Sequence, residues 1–251
     1  MRLRASIAAA CMLATLGAGG AGAADLVILT NQGATPGVRE LAGAFSQASG
    51  HKVSVIQEAG AALERRLNSD APGDLLTANP EQFEELIKKG KIVPSTVTPF
   101  VLAGLGVSVR AGAPKPDIST VEAYKAALIA ARSIGYSFGC SGTHVAEGIE
   151  KLGLTEQLKV KTVRTRTGPV TDYLARGEFE LGIQQTNIMV GVAGTDYVGP
   201  VPGDINKPCP SNVALLTGSK EPEAARAMIA FMASPAAAPL LRKTHVEPFR
   251  R

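Results

Sequence analysis

Tryptophan is absent from this chain, and aromatic residues of all kinds make up only 4% of its 251 residues. Its Lys and Arg are scattered instead of gathered into a stripe, so the stacking platforms and basic faces of nucleic-acid binders are missing. Only three His occur (His51, His144 and His245), too few and too dispersed for a His-rich metal site, and no metal or cofactor is expected. No paired His on a helix face suggests zinc. No phosphate-cradling glycine loop ends in Lys followed by Ser or Thr. Beyond residue 24, no run is long and apolar enough to span a bilayer, which needs about 20 apolar residues. With 45% hydrophobic and 19% charged residues, the composition is that of a folded chain and not a disordered one.

What is present begins with Met1 to Ala24. Arg2 and Arg4 precede the apolar run Ala5 to Leu16, and small residues follow to Ala21-Gly22-Ala23-Ala24. This is the layout of a secretory signal peptide, so export to the periplasm is expected, with the mature chain starting within a residue or two of Asp25. Cys11 lies inside the apolar core without the residues of a lipid-attachment site, so no anchor is expected. Losing Arg2 and Arg4 leaves 24 of the 26 basic residues against 22 acidic ones, a net charge of +2. Gly17 to Gly22 spells a dinucleotide-binding fingerprint, but inside the leader and with no preceding strand it carries no meaning. Cys140 and Cys209 remain after processing, and they either pair in an oxidising compartment or stand as two thiols in separate loops.

Downstream, short apolar strands alternate with helices. Strands are expected at Leu26 to Thr30, Val53 to Ile56, Gly73 to Leu76, Ile134 to Ser137, Lys161 to Arg166, Phe179 to Gln184, Asp196 to Pro200 and Val213 to Thr217. Thr35 reads as an N-cap with Pro36 as the first helical residue. Ser119 and Glu122 read as a capping box. Phe100 to Arg110 is a strand-like connection, and Gly199 to Pro210 is a Pro- and Gly-rich return. The pattern predicts an α/β fold with parallel-rich sheets covered by helices, divided into two lobes. Residues 25–103 and 211–251 would form the first lobe, and 104–210 the second.

One device recurs. At Asn31 to Thr35, Glu58 to Ala61 and Gly139 to Thr143, a strand ends in a small polar turn that opens directly into a helix. Helix N-termini offer unpaired N–H groups and about half a positive charge, a natural seat for anions. Ligands of open α/β sheets bind at the carboxyl ends of strands, where these turns lie. The segment Gly139-Cys140-Ser141-Gly142-Thr143 approaches a nucleophile elbow but lacks its second glycine, which argues against a hydrolase.

Several stretches together resemble the periplasmic solute-binding proteins of the molybdate-binding type. They include Gly37-Val38-Arg39-Glu40-Leu41, Gly60 to Leu67, Asp74 with Asn79, Ile134-Gly135-Tyr136-Ser137 and Lys151-Leu152-Gly153. Ala175-Arg176-Gly177-Glu178, Leu181 to Gln185, Val198-Gly199-Pro200 and Phe231 to Pro235 complete the series. The resemblance implies a two-lobe periplasmic-binding-protein fold (type 2) with a cleft between the lobes. It also implies a small anionic ligand, a monomer, and an ABC transporter membrane component as partner.

It places the ligand against Asn31 and Gln32, Ala61 and Ala62, Ser141 and Gly142, and Gln185. The two serines and the tyrosine with which the family holds molybdate are missing from these positions. Asn31, Gln32, Gln184 and Gln185 supply amides suited to a carboxylate instead. His144 would add a charge or a proton, or else pack at the surface. Arg166, ahead of Gly168, would fork onto a carboxylate or stand solvated. Aconitate isomerase is similar to this same chassis. If this chain turns over a ligand, Glu58, Cys140 and His144 are the acid–base candidates. An anion sensor facing a membrane receptor would carry the same sequence features.

Overall fold

The computed structural model describes residues 22–70 and 72–249. The expected signal peptide and Cys11 lie outside that range, apart from residues 22–24. Three strand–helix units open the chain: β1 (Asp25–Thr30), α1 (Thr35–Ser49), β2 (Lys52–Gln57), α2 (Gly60–Leu67), β3 (Leu75–Ala78) and α3 (Pro80–Lys88). Then β4 (Thr98–Ala103) completes the first crossing, and β5 (Leu105–Arg110) starts a second sheet. The second lobe continues through α4 (Val121–Ala130), β6 (Ile134–Ser137), α5 (Cys140–Lys151), α6 (Thr155–Leu158), β7 (Thr162–Thr165), α7 (Val170–Ala175), β8 (Leu181–Gln185) and β9 (Thr195–Pro200). The chain returns through β10 (Cys209–Leu215), α8 (Pro222–Met232), α9 (Ala237–Lys243) and β11 (Glu247–Pro248).

The first sheet has the order β11-β4-β10-β3-β1-β2 and the second β7-β6-β8-β5-β9. The parallel pairing expected from strand–helix alternation holds for β2-β1-β3 and β7-β6-β8. The strands flanking the crossings, β4, β5 and β10, pair antiparallel with their neighbours. The sheets are therefore mixed.

Each lobe has its own core, as two separately folded layers require. In β1, Leu26 and Ile28 face the cluster under α1, α8 and α9, where Val38, Leu41, Phe45, Met228 and Leu241 are buried. Leu29, pointing the other way, joins Leu63, Leu67, Phe83 and Leu86 of α2 and α3. Burial on both faces explains why β1 reads as a continuous apolar run. The second lobe buries Val107, Leu128, Ile134, Val145, Ile149 and Ile183. Asp74 ties the sheet to the C-terminal helices. Its carboxylate accepts from Val27 N (2.8 Å), Ser219 Oγ (2.7 Å), and the N–H groups of Lys220 and Glu221.

Three local expectations need correction. Thr35 is the first helical residue and not the cap. Asn31 makes the cap-like bonds, its Oδ1 accepting from Ala34 N at 2.9 Å, while Thr35 Oγ1 donates back to Asn31 O at 2.8 Å. The cap of α4 is Thr120, which accepts from Ala123 N, and Ser119 instead binds back to Asp117. The apolar connection from Phe100 to Arg110 is two strands in two sheets, broken at Gly104. Asn206 knits the crossings there: its Oδ1 accepts from Leu105 N (2.7 Å) and its Nδ2 donates to Val201 O (2.8 Å).

Candidate ligand-binding cleft

The carboxyl ends of the parallel strands in the two lobes face each other, and the expected turns sit at those ends. In the first lobe, α2 begins at Gly60 (φ 54°) after an extended Ala59, and no side chain caps it. The N–H groups of Ala61 and Ala62 are thus left for a ligand or water. Beside them, the half-buried Glu58 carboxylate accepts from Arg66 Nε at 2.8 Å, and this bond raises the guanidinium above its usual pKa. Glu58 is therefore already committed to a cation. Asn31 is also largely spent in shaping its turn: Oδ1 caps Ala34, and Nδ2 reaches Ser211 Oγ only at 3.4 Å.

In the second lobe, α5 starts three residues earlier than Thr143, at Cys140, behind Gly139 (φ 90°) and again without a side-chain cap. Ser141 is buried, and its hydroxyl lies 2.9 Å from that of Ser137. Gly142 packs so closely on the end of β6 that a Cβ there would stand 1.6 Å from Ser137 O. Only glycine lets the first turn of α5 lie on the strand end.

The lobes meet at the first turn. Gln184, buried to 1% exposure, uses Oε1 to accept from Val170 N at the start of α7 (2.8 Å) and Nε2 to donate to Gln32 Oε1 across the cleft (3.3 Å). Asn187 Nδ2 donates to Gly33 O at 2.6 Å, and a Cβ on Gly33 would sit 2.5 Å from Gln185 Nε2. Gln32 and Gly33 of the first lobe therefore meet Gln184, Gln185 and Asn187 of the second, and the lobes are closed on each other at this point. Gly168 makes the left-handed turn (φ 69°) before α7. Arg166 lies just past β7 with its guanidinium 4.7 Å from the centre of the Phe138 ring. A cavity of about 490 Å³ lined by Arg110, Pro114, Arg132, Phe179 and Glu180 opens at the opposite end of the second sheet and so is not part of this site.

Cys140 and Cys209 form a disulfide. It joins the first residue of α5 in one lobe to the first residue of β10 in the other, beside the crossings. While it is oxidised, Cys140 has no thiol for proton transfer, and neither sulfur is a thiolate for a metal. His144, one turn into α5, lies against both sulfurs, with Nδ1 3.7 Å from Cys140 Sγ and 3.6 Å from Cys209 Sγ. Nδ1 is also 2.9 Å from the Lys207 carbonyl oxygen. A carbonyl only accepts, so Nδ1 carries the proton and Nε2 is the basic atom of the neutral ring.

Gly33, Asn187, Arg164 and Phe138 were not among the sequence candidates. Gly33 and Asn187 meet across 154 residues of sequence with no local signal. The Arg164 and Arg166 pair did leave one, since residues two apart in a strand share a face.

Residues 26–247 match the family described as bacterial extracellular solute-binding protein, and the chain belongs to that family. Aconitate isomerase of Pseudomonas sp is 30% identical over 229 residues, covering 89% of this chain and 87% of that protein. The molybdate-binding protein ModA of Azotobacter vinelandii is 25% identical, with 92% of this chain and 94% of that protein covered. The solved periplasmic molybdate-binding protein of Azotobacter vinelandii superposes with a TM-score of 0.71 at 20% identity, over 90% of this chain and all of that one. That likeness establishes the two-lobe periplasmic-binding-protein fold.

Proposed function

We propose that this chain captures a small organic anion between its lobes in the periplasm and presents it to an ABC transporter. The observation that carries this reading is a pair of uncapped helix starts, one in each lobe, at Ala61–Ala62 and Ser141–Gly142. Each offers N–H donors and a partial positive charge, and in this reading the ligand is enclosed between them. The amides of Gln32 and Gln185 add neutral donors that suit carboxylate oxygens. The test is a melting screen of the mature protein across molybdate, sulfate, and di- and tricarboxylates. A true ligand at 100 times its Kd stabilises the fold by about 2.7 kcal/mol. Gln185→Leu should weaken binding by about 3- to 10-fold, the loss of one neutral donor. If no anion shifts the melting temperature, the reading fails.

A second reading is supported by the identity to aconitate isomerase, which exceeds that to the molybdate binders. In that reading the cleft holds an unsaturated tricarboxylate and moves its double bond, which needs a proton acceptor within hydrogen-bond reach of the carbon skeleton. His144 Nε2 and Glu58 remain as candidates, because the disulfide withdraws Cys140. Protein incubated with cis- or trans-aconitate, followed by chromatographic separation of the isomers, distinguishes the two. The binder reading expects the anion back unchanged. Interconversion that is lost in His144→Ala or Glu58→Gln would establish the isomerase.

A further inference from the structure

The outer edge of the second sheet carries a positive cluster that the cleft walls described above leave unused. Arg164 lies in β7 and Arg166 one residue past its end, so strand alternation sends both side chains to one face. The ring of Phe138, just after β6, receives both: Arg164 Cζ is 4.1 Å and Arg166 Cζ 4.7 Å from its centre. The Tyr136 ring also lies near the first guanidinium, with its centre 5.5 Å from Arg164 Cζ. Phe138 N donates to Thr165 O at 3.1 Å, which pins the Phe138 backbone to the residue that separates the two arginines along the chain. The cluster adjoins the uncapped start of α5, because a Cβ on Gly142 would lie 3.5 Å from Arg164 Nη2.

Neither guanidinium has a carboxylate partner among the described residues. Two full positive charges and the partial charge of a helix start thus share one corner, with Phe138 left 41% exposed between them. Like charges gathered without a counter-charge repel, and stacking on an exposed ring offsets this only weakly. Stacking does hold the planar groups in place before a ligand arrives, so less side-chain freedom is lost on binding.

We propose that Arg164, Arg166 and Phe138 form a second carboxylate subsite, which selects polycarboxylates over anions with a single charged group. This rests on the anion-binding reading. One carboxylate sits on the helix-start N–H groups, and a second takes the paired N–H donors of the guanidiniums.

Titration calorimetry on the mature protein tests this with citrate and trans-aconitate as three-carboxylate probes and lactate as the single-carboxylate probe. Arg164→Gln and Arg166→Gln should each weaken citrate and trans-aconitate binding by about 10-fold or more, and the double variant by about 100-fold. Lactate affinity should stay within about 3-fold. Arg→Lys variants should recover only part of the loss, since the charge returns without the fork. The arginines are surface residues, and unchanged melting temperatures of the unliganded variants should confirm intact folding. A double variant that binds the tricarboxylates within about 3-fold of wild type, or that loses all three probes equally, overturns the subsite. Wild type binding lactate as tightly as citrate also overturns it, while leaving the anion reading intact. Wild type binding none of these probes, nor molybdate or sulfate, removes the anion reading itself.

Discussion

Replacing Cys140 and Cys209 together with serine should lower the stability of the mature protein by about 4 kcal/mol. The bridge closes a sequence separation of 69 residues, and the chain-entropy cost of holding so long a loop closed in the unfolded state is of that size. Calorimetric melting should show a fall of roughly 8–16 °C, at about 2–4 °C per kcal/mol for a chain of this length. The effect should extend beyond stability. The bridge anchors the first turn of α5 to β10, and His144 and Lys207 reinforce the attachment through the bond to the Lys207 carbonyl and the ion pair between Lys207 and Glu147. Ligand affinity should therefore fall along with the melting temperature. An unchanged melting temperature on reduction would mean that the two lobes are not held together here.

The second large effect concerns a single methyl group. Gly142→Ala places a Cβ 1.6 Å from the Ser137 carbonyl oxygen, a contact between backbone atoms that no rotamer change can relieve. The start of α5 must move off β6, breaking the Ser137–Ser141 hydroxyl contact and turning its N–H groups away from the cleft. Overpacking of this kind costs about 1–3 kcal/mol in stability, and loss of aligned, charge-assisted donors should lower anion affinity by about 100-fold. Gly148→Ala, later on the same helix, is the control. Its Cβ would find its nearest neighbour at 3.6 Å, ordinary contact, so both quantities should hold. Equal affinity for Gly142→Ala and wild type would remove α5 from the site.

The strand–turn–helix punctuation that made the fold legible is local. Leu26 to Thr30 runs apolar because both of its faces are buried, and Gly50 ends α1 with a left-handed turn (φ 77°) that its sequence position announces. The turn before α2 is legible for the same reason, whereas the one before α5 places the helix start at Thr143, three residues later than the Cys140 at which it begins. Legibility ends where a side-chain contact, distant or around a helix turn, decides the outcome. Val101-Leu102-Ala103-Gly104-Leu105 is an unbroken apolar run, and the change of sheet at Gly104 is set by Asn206, about a hundred residues on. Asn31 reads as free to donate to a ligand, but its Nδ2 is turned toward Ser211 Oγ (3.4 Å), 180 residues on, while Ala34 N donates to its Oδ1. Glu58 reads as available, but Arg66, in the last turn of α2, holds it in an ion pair. The pairing of Cys140 with Cys209 depends on where the return crossing meets α5, which spacing alone does not fix.

The central claim is that an anion sits on the backbone N–H groups at the starts of α2 and α5. The most direct measurement is an amide nitrogen–proton NMR titration of the mature protein with citrate, trans-aconitate, molybdate and sulfate. The account predicts that at least one anion produces saturable shifts concentrated at Ala61, Ala62, Ser141 and Gly142, moving downfield as each N–H gains an acceptor. Saturable shifts elsewhere with these four amides unmoved would contradict it, as would no response to any of the anions.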